Sequence, residues 1–279
     1  MSAYIEHIPS ELLDDIRRGE CIPVIGAGFS MNAVLPPGCR MPLWNDLGIE
    51  VARKMDTAYS GDAKRTLSEY CYKCSIFEMV RLLRDRLHIR TARPGSAHLE
   101  FAKLPFAQVL TTNFDFLLER AYDACERPYL PVVDEGLLPF RAVDNEVRII
   151  KMHGDLNHPN SLVITEEDYA KFQIRRLRMF QAVLHLLISN SLLFIGYSID
   201  DPDFQQIWAI VDEQFKSMRR PAYAILLGSS DAKTSEYQRR GVSRVISFPA
   251  NQTEYGTVLT GVFREINLSL GSSVEDDEP

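Results

Sequence analysis

Four short clusters along the chain combine residue types that can do chemistry. Gly26-Ala27-Gly28-Phe29-Ser30 follows the apolar run Cys21–Ile25. Glycines let a backbone approach a diphosphate closely, a following helix offers its N–H groups to the anion, and Ser30 adds a hydroxyl donor. Thr111-Thr112-Asn113-Phe114-Asp115 follows Phe106–Leu110. Lys151-Met152-His153-Gly154-Asp155 follows Arg148–Ile150, and Gly196-Tyr197-Ser198-Ile199-Asp200-Asp201 follows Leu192–Ile195. Each cluster lies just past the C-terminal end of a predicted strand, the edge where open parallel sheets bind ligands. The four could therefore meet in one crevice. The glycine loop is not a full dinucleotide fingerprint, because Met31 stands where a third glycine is needed. It also lacks the Gly-Lys-Ser/Thr of a nucleoside-triphosphate loop, so neither an ordinary dehydrogenase nor a P-loop enzyme is supported.

These clusters must be carried by strands and helices that alternate. Apolar runs predict strands at Cys21–Ile25, Phe106–Thr111, Arg148–Met152, Ser161–Ile164, Leu192–Ile195, Ala222–Leu227 and Arg244–Phe248. Leu130–Val133 is at best an edge strand, since Pro131 cannot donate to a ladder. Helical patterns separate most of these, which predicts an α/β fold with a Rossmann-like parallel sheet. Ser10 to Gly19 reads as a short helix with a glycine stop. Leu43 to Lys103 lacks a convincing strand and reads as three or four helices. Leu47, Val51 and Met55 recur at four-residue spacing, and Ser75 with Glu78 starts a helix through Leu83 and Leu87. The expectation is one domain over residues 1–270 with a helical insertion at about 43–105. Residues 271–279 form an acidic, disordered tail.

Composition narrows the function. Lys and Arg total 31 against 38 for Asp and Glu, a formal charge of −7. Glu275, Asp276, Asp277 and Glu278 contribute four of those charges, so the body is nearly neutral. A basic nucleic-acid-binding body is disfavoured, because phosphate neutralisation needs surplus Lys and Arg. The best support for direct nucleic-acid contact is Lys171, Arg175, Arg176 and Arg178, which could equally be a solvated helix face or a subunit contact. Apolar residues make up 46% of the chain, enough for a substantial core. Five cysteines suit a reducing compartment better than a disulfide framework. Met1–Ser10 does not read as a signal peptide, and Ala182–Ile195 is too short and too interrupted to span a bilayer. The expected setting is cytoplasmic, with no membrane contact.

Gly26-Ala27-Gly28-Phe29-Ser30, Thr112-Asn113-Phe114-Asp115, His153-Gly154 and Gly196-Tyr197-Ser198 occur in the order seen in sirtuin-like NAD-consuming domains. In particular the chain resembles the bacterial sirtuin-like domains of antiviral defence systems, which hydrolyse NAD. Pro42-Leu43-Trp44 looks like that branch's signature after the glycine loop. The resemblance covers roughly Glu20 to Phe248. It implies cleavage of the nicotinamide–ribose bond, with oxocarbenium character on the sugar and a neutral leaving group that needs no general acid. It implies Asn113 and His153 as catalytic residues. Asn113 would orient the water or ribose, and His153 would serve as a base toward a ribose hydroxyl or water. Asp115 would engage the carboxamide or fix the Asn113 loop. Gly26, Ala27, Gly28, Phe29, Ser30, Trp44, Thr112, Gly196, Tyr197 and Ser198 would complete the NAD site, with Gly196 and Ser198 at the ribose or phosphate.

Plainer roles exist for the same residues. Asn113 could cap a helix over Phe114–Ala124, with Asp115 its first-turn acid. His153 could be a buried histidine bonded to backbone, Ser198 a turn residue before a helix at Asp200-Asp201-Pro202, and Trp44 helix packing. His88, His98, His158 and His185 read as surface or helix-face residues. Protein-deacylating sirtuins carry a zinc module of two cysteine pairs after the catalytic histidine. Here Cys21, Cys39, Cys71, Cys74 and Cys125 all precede His153, and Cys71-Tyr72-Lys73-Cys74 has no second pair. No zinc is expected, which favours NAD hydrolysis over NAD-dependent deacylation. A non-catalytic NAD- or ADP-ribose-binding sensor or assembly subunit is the third possibility. NAD loss would harm the host, so control is expected through homo-oligomerisation or a partner. Relatives of this compact form pair with a HerA-type hexameric ATPase.

Overall fold

The computed structural model describes residues 4–139, 146–197 and 220–272, with 205, 208, 209, 211 and 213 between the last two segments. Ser198, the Asp200-Asp201-Pro202 helix start and the four terminal acids lie outside the described residues. Seven strands form one sheet: β1 (Cys21–Ile25), β2 (Gln108–Thr111), β3 (Tyr129–Val132), β4 (Val147–Lys151), β5 (Ser191–Ile195), β6 (Ala222–Leu227) and β7 (Arg244–Phe248). Their order is β3-β4-β2-β1-β5-β6-β7, and every neighbouring pair is parallel. The architecture is therefore the Rossmann-like α/β sheet that the apolar runs predict. Chain order reverses between β1 and β5, which makes the C-terminal edge there the switch point.

The five inner strands are buried on both faces, as a parallel sheet requires, while the edge strands β3 and β7 are only partly covered. In β1, Cys21 and Ile25 join one apolar layer while Ile22 and Val24 join the other. The first layer is covered by α1 (Ser10–Arg17), α6 (Ser96–Ala102), α7 (Leu117–Ala124) and α10 (Tyr255–Ser272). The second is covered by α8 (Glu166–Arg175) and α9 (Leu177–Ser189). Pro131 sits in β3, at the edge of the sheet, where its missing N–H costs least. Ser161–Ile164, predicted as a strand, joins no ladder. Pro159–Ser161 is a 3₁₀ turn, and a single bond links the Val163 N–H to the His153 carbonyl (3.1 Å). The strand-like alternation has another cause: Leu162 and Ile164 face one core and Val163 another.

After the helical turn α2 (Ala27–Ser30), four helices separate β1 from β2: α3 (Trp44–Lys54), α4 (Ala63–Lys73), α5 (Ile76–Arg86) and α6. The first three build their own core around Leu47, Val51, Leu67, Met79 and Leu83. Ser75 accepts the Glu78 N–H (3.3 Å) to cap α5, as its spacing predicts. α6 instead packs Phe101 and Ala102 into the sheet layer beneath α10. The core of α3–α5 also takes in Phe114, Leu117, Leu156, Leu162 and Ile164. The helical module thus rests on the two loops that carry Asn113 and His153.

Candidate active site

At the switch point two loops interlock. The Gly26 N–H donates to the Ile195 carbonyl (3.1 Å), and the Gly28 N–H donates to the Gly196 carbonyl (2.8 Å). A Cβ on Gly26 or Gly28 would stand 2.6 or 2.8 Å from that Gly196 oxygen. Gly196 itself has φ +57°, and a side chain there would fall on the Phe29 amide. The glycines are thus used to pack the β1 and β5 loops against one another. Because Gly26, Gly28 and Phe29 all donate within the protein, this loop offers an anion fewer backbone N–H groups than its sequence suggests.

From this junction a crevice of 1160 Å³ opens along the C-terminal edge. Its lining includes Gly26, Ala27, Gly28, Ser30, Trp44, Thr112, Asn113, Asp115, His153, Gly196 and Tyr197. Phe29 is turned away. It lies in the core against His98 (ring centroids 4.4 Å apart), Phe101 and Phe263, so its contribution is to anchor the loop.

Asn113 is held from both sides. Thr111 donates its hydroxyl to the Ile25 carbonyl (2.9 Å) and accepts the Asn113 N–H (3.1 Å), tying β2 to β1. The Asn113 amide donates to Ser30 Oγ (3.0 Å), whose hydroxyl donates to Asp115 Oδ2 (2.6 Å). This chain fixes which end of the amide is nitrogen and leaves Oδ1 to accept a hydrogen bond from a group in the crevice. Asp115 is buried, and its Oδ1 accepts the Leu117 N–H (3.0 Å) at the start of α7. Both carboxylate oxygens therefore bind within the protein, and Asp115, not Asn113, takes the local capping role.

A buried ion pair stands behind this loop. Lys151 Nζ lies 2.7 Å from Glu119 Oε1 and donates to the Asp115 carbonyl (2.6 Å), with its ammonium over the Phe116 ring. Burial pushes the Glu119 carboxyl above its ordinary range, and the Lys151 ammonium opposes that shift. The pair locks the end of β4 to α7, so the Asn113 and His153 loops hold a common register. Sequence reasoning names Lys151 only as a neighbour of His153. Glu119 carries no local signal, since its partner is 32 residues away.

His153 is 3% exposed, with its ring between Phe114 (6.3 Å) and the edge of Tyr169 (5.3 Å). Trp44 stands 6.3 Å beyond Phe114, so an aromatic wall runs from the helical module to His153. Lys64 of α4 lies over the Tyr169 ring (5.4 Å) and also lines the crevice. His98 is not a surface residue: it is 1% exposed, and burial lowers its imidazole to about 4. The opposite lobe of the crevice is formed by Gly228, Ser229 and Ser230 after β6, with Lys233, Tyr237 and Tyr255. Sequence reasoning missed these residues, although Gly-Ser-Ser after an apolar strand is the same kind of signal as the other four clusters.

Among the described residues, no three His, Cys, Asp or Glu side chains gather as a metal site. Cys71 is partly buried, with its thiol pushed up to about 11, while Cys74 is exposed. Among the described residues no helix is long and apolar enough to cross a membrane.

Comparison with known proteins places this geometry. The family model described as a SIR2-like domain matches residues 107–246, half of the chain. A protein of Bacillus cereus (strain MSX-D12) named NAD(+) hydrolase ThsA is 30% identical over 230 residues, covering 81% of this chain and 47% of that one. A protein of the same name from Acinetobacter baumannii (strain 532279) is 29% identical over 132 residues, 47% of this chain and 27% of that one. The chain thus spans about half the length of the first of these relatives, and its match to the second covers a smaller share. A crystal structure of a SIR2 homolog–NAD complex superposes with a TM-score of 0.54 at 16% identity, covering 95% of this chain and 96% of that one, which shows the shared fold. With a parallel sheet, a glycine junction at its switch point and the matched segment spanning both catalytic candidates, the chain belongs to the SIR2-like domain family.

Proposed function

We propose that this protein hydrolyses NAD at the nicotinamide–ribose bond, giving nicotinamide and ADP-ribose, and depletes NAD in antiviral defence once activated. The observation that carries this reading is the meeting of Asn113 and His153 in one crevice with the glycine junction. The relatives named NAD(+) hydrolase support the substrate and reaction. From β4 to β6 the crevice crosses four strand spacings, about 19 Å, a span suited to an extended dinucleotide. In this pose nicotinamide ribose lies between Asn113 and His153, the diphosphate crosses the β1–β5 junction, and adenosine reaches the β6 end.

The C–N bond breaks with its electron pair leaving on the nicotinamide nitrogen. A water oxygen bonds to the ribose carbon, and its proton passes to His153 or solvent. Asn113 Oδ1 orients the water or a ribose hydroxyl. Ser30, Asp115 and the Lys151–Glu119 pair hold that amide in place, so Asp115 acts by fixing the loop. Trp44, Phe114 and Tyr169 shield the reacting sugar from bulk water. Control comes through self-association or a hexameric ATPase of the HerA type, and native mass spectrometry with and without that partner checks this.

Product analysis separates the alternatives. Incubation with NAD alone yields nicotinamide and ADP-ribose under the hydrolase reading. Turnover that requires an acyl-lysine peptide and yields O-acyl-ADP-ribose supports a deacylase instead. Tight NAD binding without turnover, with or without partner, supports a sensor.

A further inference from the structure

The cluster that carries His153 ends in Asp155, a carboxylate with no part in the proposed chemistry. It is 3% exposed and absent from the crevice lining, so it acts from behind the site. One of its oxygens gathers a loop. Oδ1 accepts the Asn157 N–H (2.9 Å) and the His158 N–H (3.0 Å), and His158 Nδ1 lies 2.8 Å from it. A carboxylate only accepts, so Nδ1 is a protonated ring nitrogen. Ser161 Oγ accepts the Asp155 N–H (3.2 Å), and its hydroxyl donates to the His158 carbonyl (2.6 Å). Gly154, at φ +71°, lets the chain fold back this tightly, because a Cβ there would stand 2.1 Å from Ser161 Oγ. The loop then closes on His153 itself, whose carbonyl accepts the Val163 N–H (3.1 Å). The helical module grips the same loop from outside. Arg84 of α5 donates through Nη1 to the Leu156 carbonyl (3.1 Å) and to Asn157 Oδ1 (3.3 Å), acceptors 72 and 73 residues away. Leu156 and Leu162 are buried in the module's core, whereas Met152 and Val163 belong to the second sheet layer. The loop is thus clasped between two separately packed bodies, with His153 at its root.

We propose that Asp155 and Arg84 are positioning residues for His153. Asp155 ties the loop into one conformation, and Arg84 lets the helical module set where His153 stands in the crevice. The proposal rests on the hydrolase reading for the chemistry, in which His153 takes the proton and neither Asp155 nor Arg84 touches a reacting atom. Their loss therefore acts on the rate of the chemical step and spares the grip on the dinucleotide.

The test measures kcat and KM for NAD, calorimetric NAD affinity, melting temperature and hydrogen exchange over residues 153–163 in wild type, Asp155→Ala, Asp155→Asn and Arg84→Ala. Asp155→Ala should lower kcat about tenfold to hundredfold, the scale of a misplaced reacting group, and leave NAD affinity within about threefold. Asp155→Asn keeps an acceptor oxygen for the two N–H groups and should recover most of kcat. Arg84→Ala should lower kcat about threefold to tenfold, the range for one net hydrogen bond, at a melting temperature close to that of wild type and with faster exchange at Val163. Wild-type kcat in Arg84→Ala overturns the proposal. So does a fall in kcat matched by equal falls in NAD affinity and melting temperature, which a merely structural loop would give. Should Asp155→Ala not fold, Arg84→Ala decides the matter by the same readings. If wild type cleaves no NAD, the hydrolase reading fails and exchange decides the rest. Faster exchange at Val163 in Arg84→Ala then keeps the hold on His153, and unchanged exchange overturns it.

Discussion

Ser30 is the residue through which Asn113 and Asp115 communicate, since its one hydroxyl accepts from the amide and donates to the carboxylate. Ser30→Ala should leave the fold intact by circular dichroism and lower kcat/KM about tenfold to hundredfold, as expected for losing hydrogen bonds that orient a reacting group. Undiminished NAD turnover in that variant would show that the amide orients itself. His98 offers a test by pH. Its Nδ1 accepts the Gly95 N–H, its ring packs on Phe29, and burial lowers it to about 4, with nearby Asp115 opposing that shift. The unfolded chain takes up this proton near 6.5 and the folded chain only near 4. This contribution to stability is therefore whole above about 6.5 and is lost as pH falls toward 4. Melting temperatures measured across that range should decline less steeply in His98→Gln than in wild type. Parallel declines would assign the acid sensitivity to other groups.

At the scale of elements, the β1–β5 junction leaves no room for a side chain. Gly196→Ala should destabilise by about 1–3 kcal/mol from backbone strain alone, with further cost from the collision at Phe29, readable by urea denaturation. A wild-type midpoint would mean that the junction relaxes. The helical module is a second such element, since its core includes Phe114 and Leu162 from the site's own loops. Leu83→Ala should cost about 2–5 kcal/mol and lower NAD turnover together with stability, although Leu83 is absent from the crevice lining. A stability loss with full activity below the melting transition would uncouple the module from the site. What was legible in the sequence follows the same division. β1 and β6 could be read to the residue because apolar runs buried on both faces have few alternatives, and β7, at the edge of the sheet, because Val245, Ile246 and Phe248 still give it a short apolar run. Ser161–Ile164 was misread because alternating burial into two cores imitates a strand. The strand-end clusters led to Asn113 and His153 because topology brings strand ends together. Glu119, Lys233 and the depth of His98 depend on contacts between distant segments, which no local pattern encodes.

For the whole molecule, the sheet order converts four sequence clusters into one edge. His153 follows β4, Asn113 follows β2, Gly26 follows β1 and Gly196 follows β5, and these are successive strands in space although they are far apart along the chain. The described part of the crevice then runs on to β6, giving a dinucleotide-length groove with aromatic walls at one end and a cation with hydroxyls at the other. Under the proposed function, cleavage belongs to the Asn113–His153 end alone. The most direct measurement is single-turnover release of nicotinamide from NAD by wild type, Asn113→Ala and His153→Ala, alongside NAD affinity by calorimetry. The predicted result is a rate at least about 10²-fold lower in each variant with binding retained, the scale of lost positioning or general-base catalysis. Wild-type rates in both variants would contradict the assignment of cleavage to this end of the crevice.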